Sequence, residues 1–356
     1  MPSSTYSLRT AGRQVSRPRL SITRNKILQE YVRITDVVTL DNVLSTAMER
    51  KRDAARVQFL HLIFHQISPP AHKIRLLLRQ LKNVVVLELI VPFASKSKWV
   101  RLLQGVQLDQ LETFSTTSPH AALSIFLRNH PRVKNLKIDG CAAPVCELED
   151  LHLPSLIDVS GPAPCVTAVM KRNSVERVYA TRNDGDLPHL PRFFNSLSTS
   201  IATLSVLHLD FDPTDRDILS KIGKAAPFLT ALKLTETSLP YGIQRGSRFR
   251  RAWNHASQWK SGLLLLPRLS RLLLKTAAPL VTTPGDQSQE AILVSKWTHT
   301  KRRSGMRDEH PTLQHLTLWY LSDSDSSYLC YWSQAWKDGV WARTGSISQP
   351  PPEAFV

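Results

Sequence analysis

Apolar residues recur along the chain in a short unit, apolar-x-x-apolar-x-apolar, whose last two apolar positions are two residues apart. Side chains two residues apart point to the same side of a β-strand, so each unit predicts a strand with one buried and one exposed side. Seven copies are complete: Val57-Leu60-Leu62, Val84-Leu87-Leu89, Val133-Leu136-Ile138, Leu204-Leu207-Leu209, Leu229-Leu232-Leu234, Leu269-Leu272-Leu274 and Leu313-Leu316-Leu318. Three degenerate copies begin at Leu111, Leu156 and Val175. The pattern therefore predicts a series of similar strands along most of the chain.

The spacing of these units indicates a repeat protein. The first eight copies start about 25 residues apart, which is within the period of leucine-rich repeats. Between the strands lie apolar residues at helical spacing, and Ser118-Pro119 and Asp212-Pro213 predict helix starts with the polar residue as N-cap. We therefore predict an α/β fold, a leucine-rich-repeat solenoid (horseshoe) of about ten irregular strand-helix units. A doubly wound sheet is the alternative, but it needs longer units and usually a Gly-rich phosphate-binding turn, which the sequence lacks.

Stacking of the units predicts a surface for partner binding. The strand residues between the buried positions face solvent, and parallel stacking aligns them across the concave side of the solenoid. Aromatic and charged residues among these positions are typical of recognition surfaces, although exposed strand positions are polar in any solenoid. The predicted partner-binding residues are Lys137, Asp139, Tyr179, His208, Asp210, Lys233, Arg271, Lys275, His315 and Trp319.

The net charge of +17 is distributed unevenly along the chain. Residues 1–29 contain six Lys or Arg and no acid, which predicts a disordered basic leader; the same composition occurs in mitochondrial transit peptides, so mitochondrial targeting stays open. Residues 241–310 contain 13 Lys or Arg against 4 Asp or Glu. The basicity is therefore expected to belong to a leader and to local insertions rather than to the regular repeats.

Two long intervals between repeat starts predict insertions near residues 240–262 and 282–309 of a solenoid that spans 30–345. Basic residues interleaved with aromatic ones can bind nucleic acid or another anionic surface, which is the alternative function. The basic residues of the insertions are Arg248, Arg250, Arg251, Lys301, Arg302 and Arg303.

Half of the eight Trp residues lie in 319–341, where they predict a C-terminal cap, with Trp332 and Trp336 sharing one face if that stretch is helical. Residues 346–356, with three consecutive Pro, predict a disordered tail.

The sequence contains no pattern that is typical of an active site. A P-loop, a GxGxxG turn and an HExxH motif are all missing, so we expect no enzyme activity and no cofactor. Cys141, Cys146 and Cys165 are spaced unlike the paired ligands of zinc motifs, so we expect buried thiols and no metal. The low cysteine content and the lack of an Asn-x-Ser/Thr site favour a cytoplasmic or nuclear protein.

Two segments resemble a known family. Residues 130–141 (HPRVKNLKIDGC) and 310–318 (HPTLQHLTL) resemble the P-x-L-x-x-L-x-L repeats of fungal F-box/leucine-rich-repeat proteins, and residues 31–62 resemble the segment that follows the F-box. The resemblance implies that the repeats bind a protein substrate, which the F-box delivers to an SCF-type ubiquitin ligase. Residues 1–50 show neither the opening Leu-Pro nor the closing Cys/Trp-Arg stretch of an F-box. The expected function is therefore non-enzymatic protein recognition, with the SCF adaptor as a partner only if a cryptic F-box exists.

Overall fold

The computed structural model describes residues 28–93, 95–139, 146–181, 190–237, 251–283, 285–301, 307–321, 327–334 and 341–348. Within these ranges, thirteen strands form one sheet whose spatial order follows the chain, and two further strands pair separately. The strands are β1 (Tyr31–Ile34), β2 (Phe59–Ile63), β3 (Val86–Ile90), β4 (Thr113–Thr116), β5 (Asn135–Ile138), β6 (Asp158–Pro162), β7 (Arg177–Thr181), β8 (Val206–Phe211), β9 (Ala231–Glu236), β10 (Arg271–Lys275), β11 (His299–Lys301), β12 (Arg307–Glu309), β13 (His315–Leu321), β14 (Ser327–Gln334) and β15 (Trp341–Ser348).

A single layer of helices covers one side of the sheet, and most successive helices in the layer pack against one another. The helices are α1 (Val37–Glu49), α2 (Lys51–Ala54), α3 (Ala71–Gln80), α4 (Lys96–Leu103), α5 (His120–Arg128), α6 (Ala163–Met170), α7 (Leu190–Thr199), α8 (Ile218–Ala225), α9 (Ala256–Leu264) and α10 (Gln287–Thr298), with a 3-10 helix at Ala252–Asn254. The side of the sheet that faces away from these helices is called the open face below.

The predicted repeat unit is the packing unit of the core. Strands β1 to β10 and β13 pair in parallel, and each motif residue lies beside its counterpart in the next unit, as Leu87 does beside Leu60. Both leucines are fully buried, and the residue between the two buried positions of each strand lies on the open face. Burial of one such side chain stabilises the fold by about 1.5–3 kcal/mol. The predicted α/β leucine-rich-repeat solenoid is confirmed.

The helix starts differ from the predicted ones. Helix α5 begins after Pro119, and α8 begins at Ile218 after Asp217 rather than after Asp212. Asp212 instead accepts hydrogen bonds from the backbone N–H and the hydroxyl of Thr214, which closes a turn before the helix. Short polar side chains favour such turns as well as helix caps, which is why the predicted N-cap at Asp212 is wrong. The predicted N-cap at Ser118 is also wrong, because Pro119 occupies that position.

Buried polar side chains join consecutive units where the helices end. His130 accepts a hydrogen bond from the Leu108 N–H (3.0 Å) at Nε2, which leaves Nδ1 to donate to the Phe126 carbonyl (2.7 Å). Asn173 makes the same pair of bonds two units later: it accepts from the Leu153 N–H (2.6 Å) and donates to the Val169 carbonyl (2.6 Å). A neutral histidine and an asparagine therefore serve equivalent roles, and burial lowers the pKa of His130.

The C-terminal end of the sheet is closed by antiparallel strands. Strand β14 pairs with β13, and β15 pairs with β14, so Trp332 lies in a strand and the helix considered for this stretch is wrong. Trp336 lies outside the described residues. The predicted tail overlaps the last residues of β15, so 346–348 belong to the sheet.

A buried carboxylate fixes this end to the helix layer. Glu290 of α10 is fully buried and accepts hydrogen bonds from the Tyr320 hydroxyl (2.6 Å) and the Trp332 indole N–H (3.2 Å). The Arg343 guanidinium of β15 lies 3.7 Å from the same carboxylate. One side chain thus joins α10 to β13, β14 and β15.

The two predicted insertions contribute helices to the same layer. Within the first, described from residue 251 onward, the 3-10 helix leads into α9, which packs between α8 and α10. The second contains α10 and the small hairpin of β11 and β12. Each predicted insertion therefore contains helical residues that belong to a regular strand-helix unit, and only the rest of the insertion is additional.

Substitution of the buried carboxylate tests the closure of the C-terminal end. We expect Glu290→Ala to lower the free energy of unfolding by about 3–5 kcal/mol, because it leaves the Arg343 charge without its buried partner. Urea denaturation followed by circular dichroism measures the change. The control is Glu112→Ala, which removes an exposed pair with Lys134 and costs less than about 1 kcal/mol. Equal losses in the two variants would contradict the assigned role.

The buried His130 predicts a dependence of stability on pH. The folded state holds the pKa of His130 below its ordinary value, so the unfolded chain takes up the proton first as the pH falls below about 6.5, and stability decreases. In the His130→Asn variant, the side-chain amide can accept and donate the same hydrogen bonds as Asn173 does, and it has no ring that titrates. Between about pH 7.5 and 5.5 we expect this variant to lose less unfolding free energy than the native chain, by up to about 1 kcal/mol. The same loss in both chains would refute the prediction.

Candidate functional site

The strand register aligns the exposed strand residues into rows across the open face. The row through the middle of the strands contains His61, Glu88, Ser115, Lys137, Ser160, Tyr179, His208, Lys233, Leu273, Thr317 and Tyr331. Four predicted partner-binding residues therefore share this middle row. The repeat alignment that the sequence predicts for these positions is the one that the sheet adopts.

Tyr179, His208 and Lys233 occupy adjacent strands of the middle row. The rings of Tyr179 and His208 meet edge to face with centroids 4.4 Å apart. Burial, and then the charge of Lys233, lowers the pKa of His208 to about 4, so the imidazole is neutral at neutral pH. Burial also lowers the pKa of Lys233, with a further contribution from Lys275. This part of the face is half-buried, so its side chains are already partly desolvated before a partner arrives.

The remaining residues of the predicted surface flank this centre. Trp319 lies beside Lys275, whose Nζ stands 3.8 Å above the indole ring. Asp210 is in register with Thr235, the neighbour of Lys275, so Asp210, Lys275 and Trp319 share a second row. Arg271 and His315 are direct neighbours in a third row and are both exposed. Across β8 to β13 the open face thus carries three basic side chains and one acidic one, together with an aromatic anchor.

A shallow depression marks the other end of the surface. It has a volume of about 270 Å³ and is lined by Lys137, Ser160 and Tyr179 of the middle row, with Asn135 and Asp158 at its side. The small side chain of Ser160, between Lys137 and Tyr179, leaves the room for this depression. Asp139 follows β5 directly and is exposed. The predicted partner-binding residues thus extend from β5 to β13.

Charges in the first half of the sheet pair with one another. His61 lies 2.6 Å from Glu88, and the Tyr31 ring packs on the His61 imidazole with centroids 4.9 Å apart. Asp158 binds Arg177 through two hydrogen bonds of 2.5 and 2.8 Å, which raises the pKa of Arg177. These contacts engage the ionisable side chains of His61, Glu88, Asp158 and Arg177 within the sheet.

The basic residues of the insertions do not form one exposed patch in the described chain. Arg251 is buried, and its Nη1 lies 3.1 Å from Oε2 of the buried Glu236, so its assignment to a basic binding surface is wrong. Glu236 also accepts hydrogen bonds from the Trp253 indole (3.0 Å) and the Ala277 N–H (2.8 Å), which makes Arg251 part of a structural network. Arg248, Arg250, Arg302 and Arg303 lie outside the described residues; Lys301 lies in β11.

The structure also brings together a group that sequence spacing did not indicate. His120, Cys146 and Cys165 are buried, and their ligating atoms all lie within 4.8 Å of one another. Neither cysteine forms a disulfide. Hydrogen bonds from Cys165 and then from His120 overcome the effect of burial and lower the pKa of Cys146 to about 5. The three residues come from three successive units, so no local motif could reveal them.

The pKa of His208 tests the electrostatics of the middle row. In the native chain we expect the imidazole to titrate near pH 4, and Lys233→Gln to raise this midpoint because it removes a nearby positive charge. Side-chain NMR of the histidine rings during a pH titration measures both values. Lys137→Gln is the control, since Lys137 lies three strands away in the same row. An ordinary midpoint near 6.5, or equal midpoints in the two variants, would contradict this arrangement.

No protein-family model matches the chain, and no curated protein matches it. Among solved structures, the chain is similar to the leucine-rich repeat-containing protein LegL7 from Legionella pneumophila, with 14% identity, a TM-score of 0.44, and coverage of 80% of this chain and 92% of that one. None of the helices in the described part of the chain is long and apolar enough to span a membrane.

Proposed function

We propose that the protein is a non-enzymatic recognition module that binds a protein partner through the open face from β5 to β13. The observation that supports this proposal most strongly is the row of Tyr179, His208 and Lys233, with Lys275 and Trp319 beside it. These side chains are aligned by the strands and are half-buried. Rigid, partly desolvated aromatic and charged groups lose little entropy and little hydration when a partner covers them.

The chemistry of the face favours a partner segment that is acidic and carries apolar side chains. Three basic residues against one acidic residue across β8 to β13 attract a negative segment, while the Trp319 and Tyr179 rings provide apolar contact area. His208 is neutral, so it contributes a hydrogen-bonding edge and no charge.

Substrate recognition for an SCF-type ubiquitin ligase is a finer version of this proposal. It is supported by the resemblance of 130–141 and 310–318 to fungal F-box/leucine-rich-repeat proteins. The described chain upstream of the first full repeat consists of β1, α1 and α2, and β1 pairs with β2 as part of the solenoid sheet. A degenerate relative without an F-box would use the same face and lack only the adaptor.

Variants of the open face test the proposed function. The full chain is immobilised, bound proteins are identified by mass spectrometry, and the affinity of each purified partner is then measured. We expect Tyr179→Ala with Trp319→Ala to weaken binding at least about 30-fold, as for the loss of aromatic hot spots. The matched control is Ile125→Ala with Ile292→Ala, which changes two exposed apolar residues of the helix layer.

The possible outcomes separate the alternatives. A partner that binds the control variant and loses affinity for the open-face variant supports the proposal, and co-purified adaptor and cullin would support the ligase version. Equal binding to both variants would contradict the open face as the site. Binding of generic RNA that weakens steeply with salt, unaffected by either variant, would favour the nucleic-acid alternative instead.

A further inference from the structure

Three consecutive connections of the repeat place sulfur and nitrogen ligands at the same edge of the sheet. His120 is the first residue of α5, which follows β4; Cys165 is near the start of α6, which follows β6; and Cys146 lies in the connection between β5 and β6. Because the strands are parallel, the chain leaves each of them at the same edge. The stacking of the units, rather than any local spacing, therefore brings the three residues together.

The distances within this cluster fit a tetrahedral metal centre. Cys146 Sγ lies 3.1 Å from His120 Nδ1, and Cys165 Sγ lies 4.0 Å from the same nitrogen. Metal–sulfur and metal–nitrogen bonds of about 2.3 and 2.1 Å at tetrahedral angles place ligating S and N atoms about 3.6 Å apart. The two distances to Nδ1 lie on either side of that value. Cys165 Sγ is slightly nearer to Nε2 (3.8 Å), so binding through Nδ1 requires the imidazole and the Cys165 side chain to rotate.

We propose that His120, Cys146 and Cys165 bind a zinc ion. Two thiolates and an imidazole are the ligands that select Zn²⁺ over hard cations such as Mg²⁺ and Ca²⁺. Two thiolates, a neutral imidazole and Zn²⁺ also sum to zero charge, which suits a site whose three side chains are all buried. The proposal departs from the expectation, drawn from cysteine spacing, that this chain holds no metal.

A route for the ion is present on one side of the cluster. Cys146 also lines a cavity of about 540 Å³ between α6 and α7, together with Thr167, Lys171, Arg192 and Ser196. Three protein ligands leave one coordination position, which water or an anion occupies in zinc sites of this type. The zinc would join α5 to α6 across the interval between β5 and β6, which is the one connection between neighbouring parallel strands of the sheet in which the described residues contain no helix.

Metal analysis of the full chain tests the proposal. The protein is purified in reducing buffer with added zinc, freed of loose metal by gel filtration, and measured by mass spectrometry of the metal. We expect about one zinc per chain, and less than about 0.1 in the Cys146→Ala/Cys165→Ala variant. Cys330→Ala is the matched control, because Cys330 is also a buried free thiol but lies in β14. It should retain the full zinc content.

Cobalt provides a readout that does not depend on the variants folding. Native protein stripped with a chelator and titrated with Co²⁺ should develop thiolate-to-cobalt charge-transfer absorption and the intense visible bands of tetrahedral cobalt. His120→Ala should weaken the bands while both thiols remain. The proposal would be overturned if the native protein contained no zinc, if it developed no cobalt absorption bands, or if the double cysteine variant retained zinc. So would an intact mass that shows Cys146 and Cys165 joined as a disulfide in the freshly purified chain.

Discussion

The parallel register of the strands is the constraint on which the rest of the structure depends. A single strand-helix unit cannot bury its apolar side chains, so each unit needs the next one in register to complete the core. That register produces one continuous hydrophobic cluster, which extends from Val32 to Trp341. It also aligns, on the other side of the same strands, every residue that alternates with the buried ones. The proposed recognition face is thus a direct consequence of the packing that stabilises the fold.

Buried polar groups support this register where the apolar repeat weakens. His130 and Asn173 join the ends of helices to the preceding unit, whereas Glu236 at the end of β9 and Glu290 in α10 bind groups that follow them in the chain. The last of these carboxylates holds the antiparallel strands β14 and β15 against β13. The Trp319 carbonyl in turn accepts a hydrogen bond from the Thr276 N–H (2.8 Å), which keeps the indole beside Lys275. Tyr320, the residue after Trp319, is hydrogen-bonded to Glu290, so the buried network at the helix layer contributes to the position of β13 and of its aromatic side chain.

Alternation of apolar and polar residues was sufficient to predict β2 to β10 and β13, their order and the rows that they form on the open face, because those features depend only on a period of two within each strand and about 25 between strands. Strand β1 was not predicted, since Tyr31–Ile34 contains two buried residues and no complete motif. Arg251 is buried because it pairs with Glu236, which is distant in sequence. The residues around Arg251 therefore wrongly indicated an exposed charge. The cluster of His120, Cys146 and Cys165 was missed because its ligands are spaced by whole repeats. Zinc motifs that can be read from sequence have ligand pairs within a few residues.

Site-specific photo-crosslinking tests most directly the claim that the open face is the binding surface. A photoreactive residue is introduced in place of Tyr179, of Lys233 or of Trp319 on the open face, and in place of Ile125 or Ile292 on the helix layer, and each full chain is irradiated with a captured partner. The account predicts crosslinks to the same partner from the three open-face positions and none from the two helix positions. Crosslinks from the helix layer alone would contradict it.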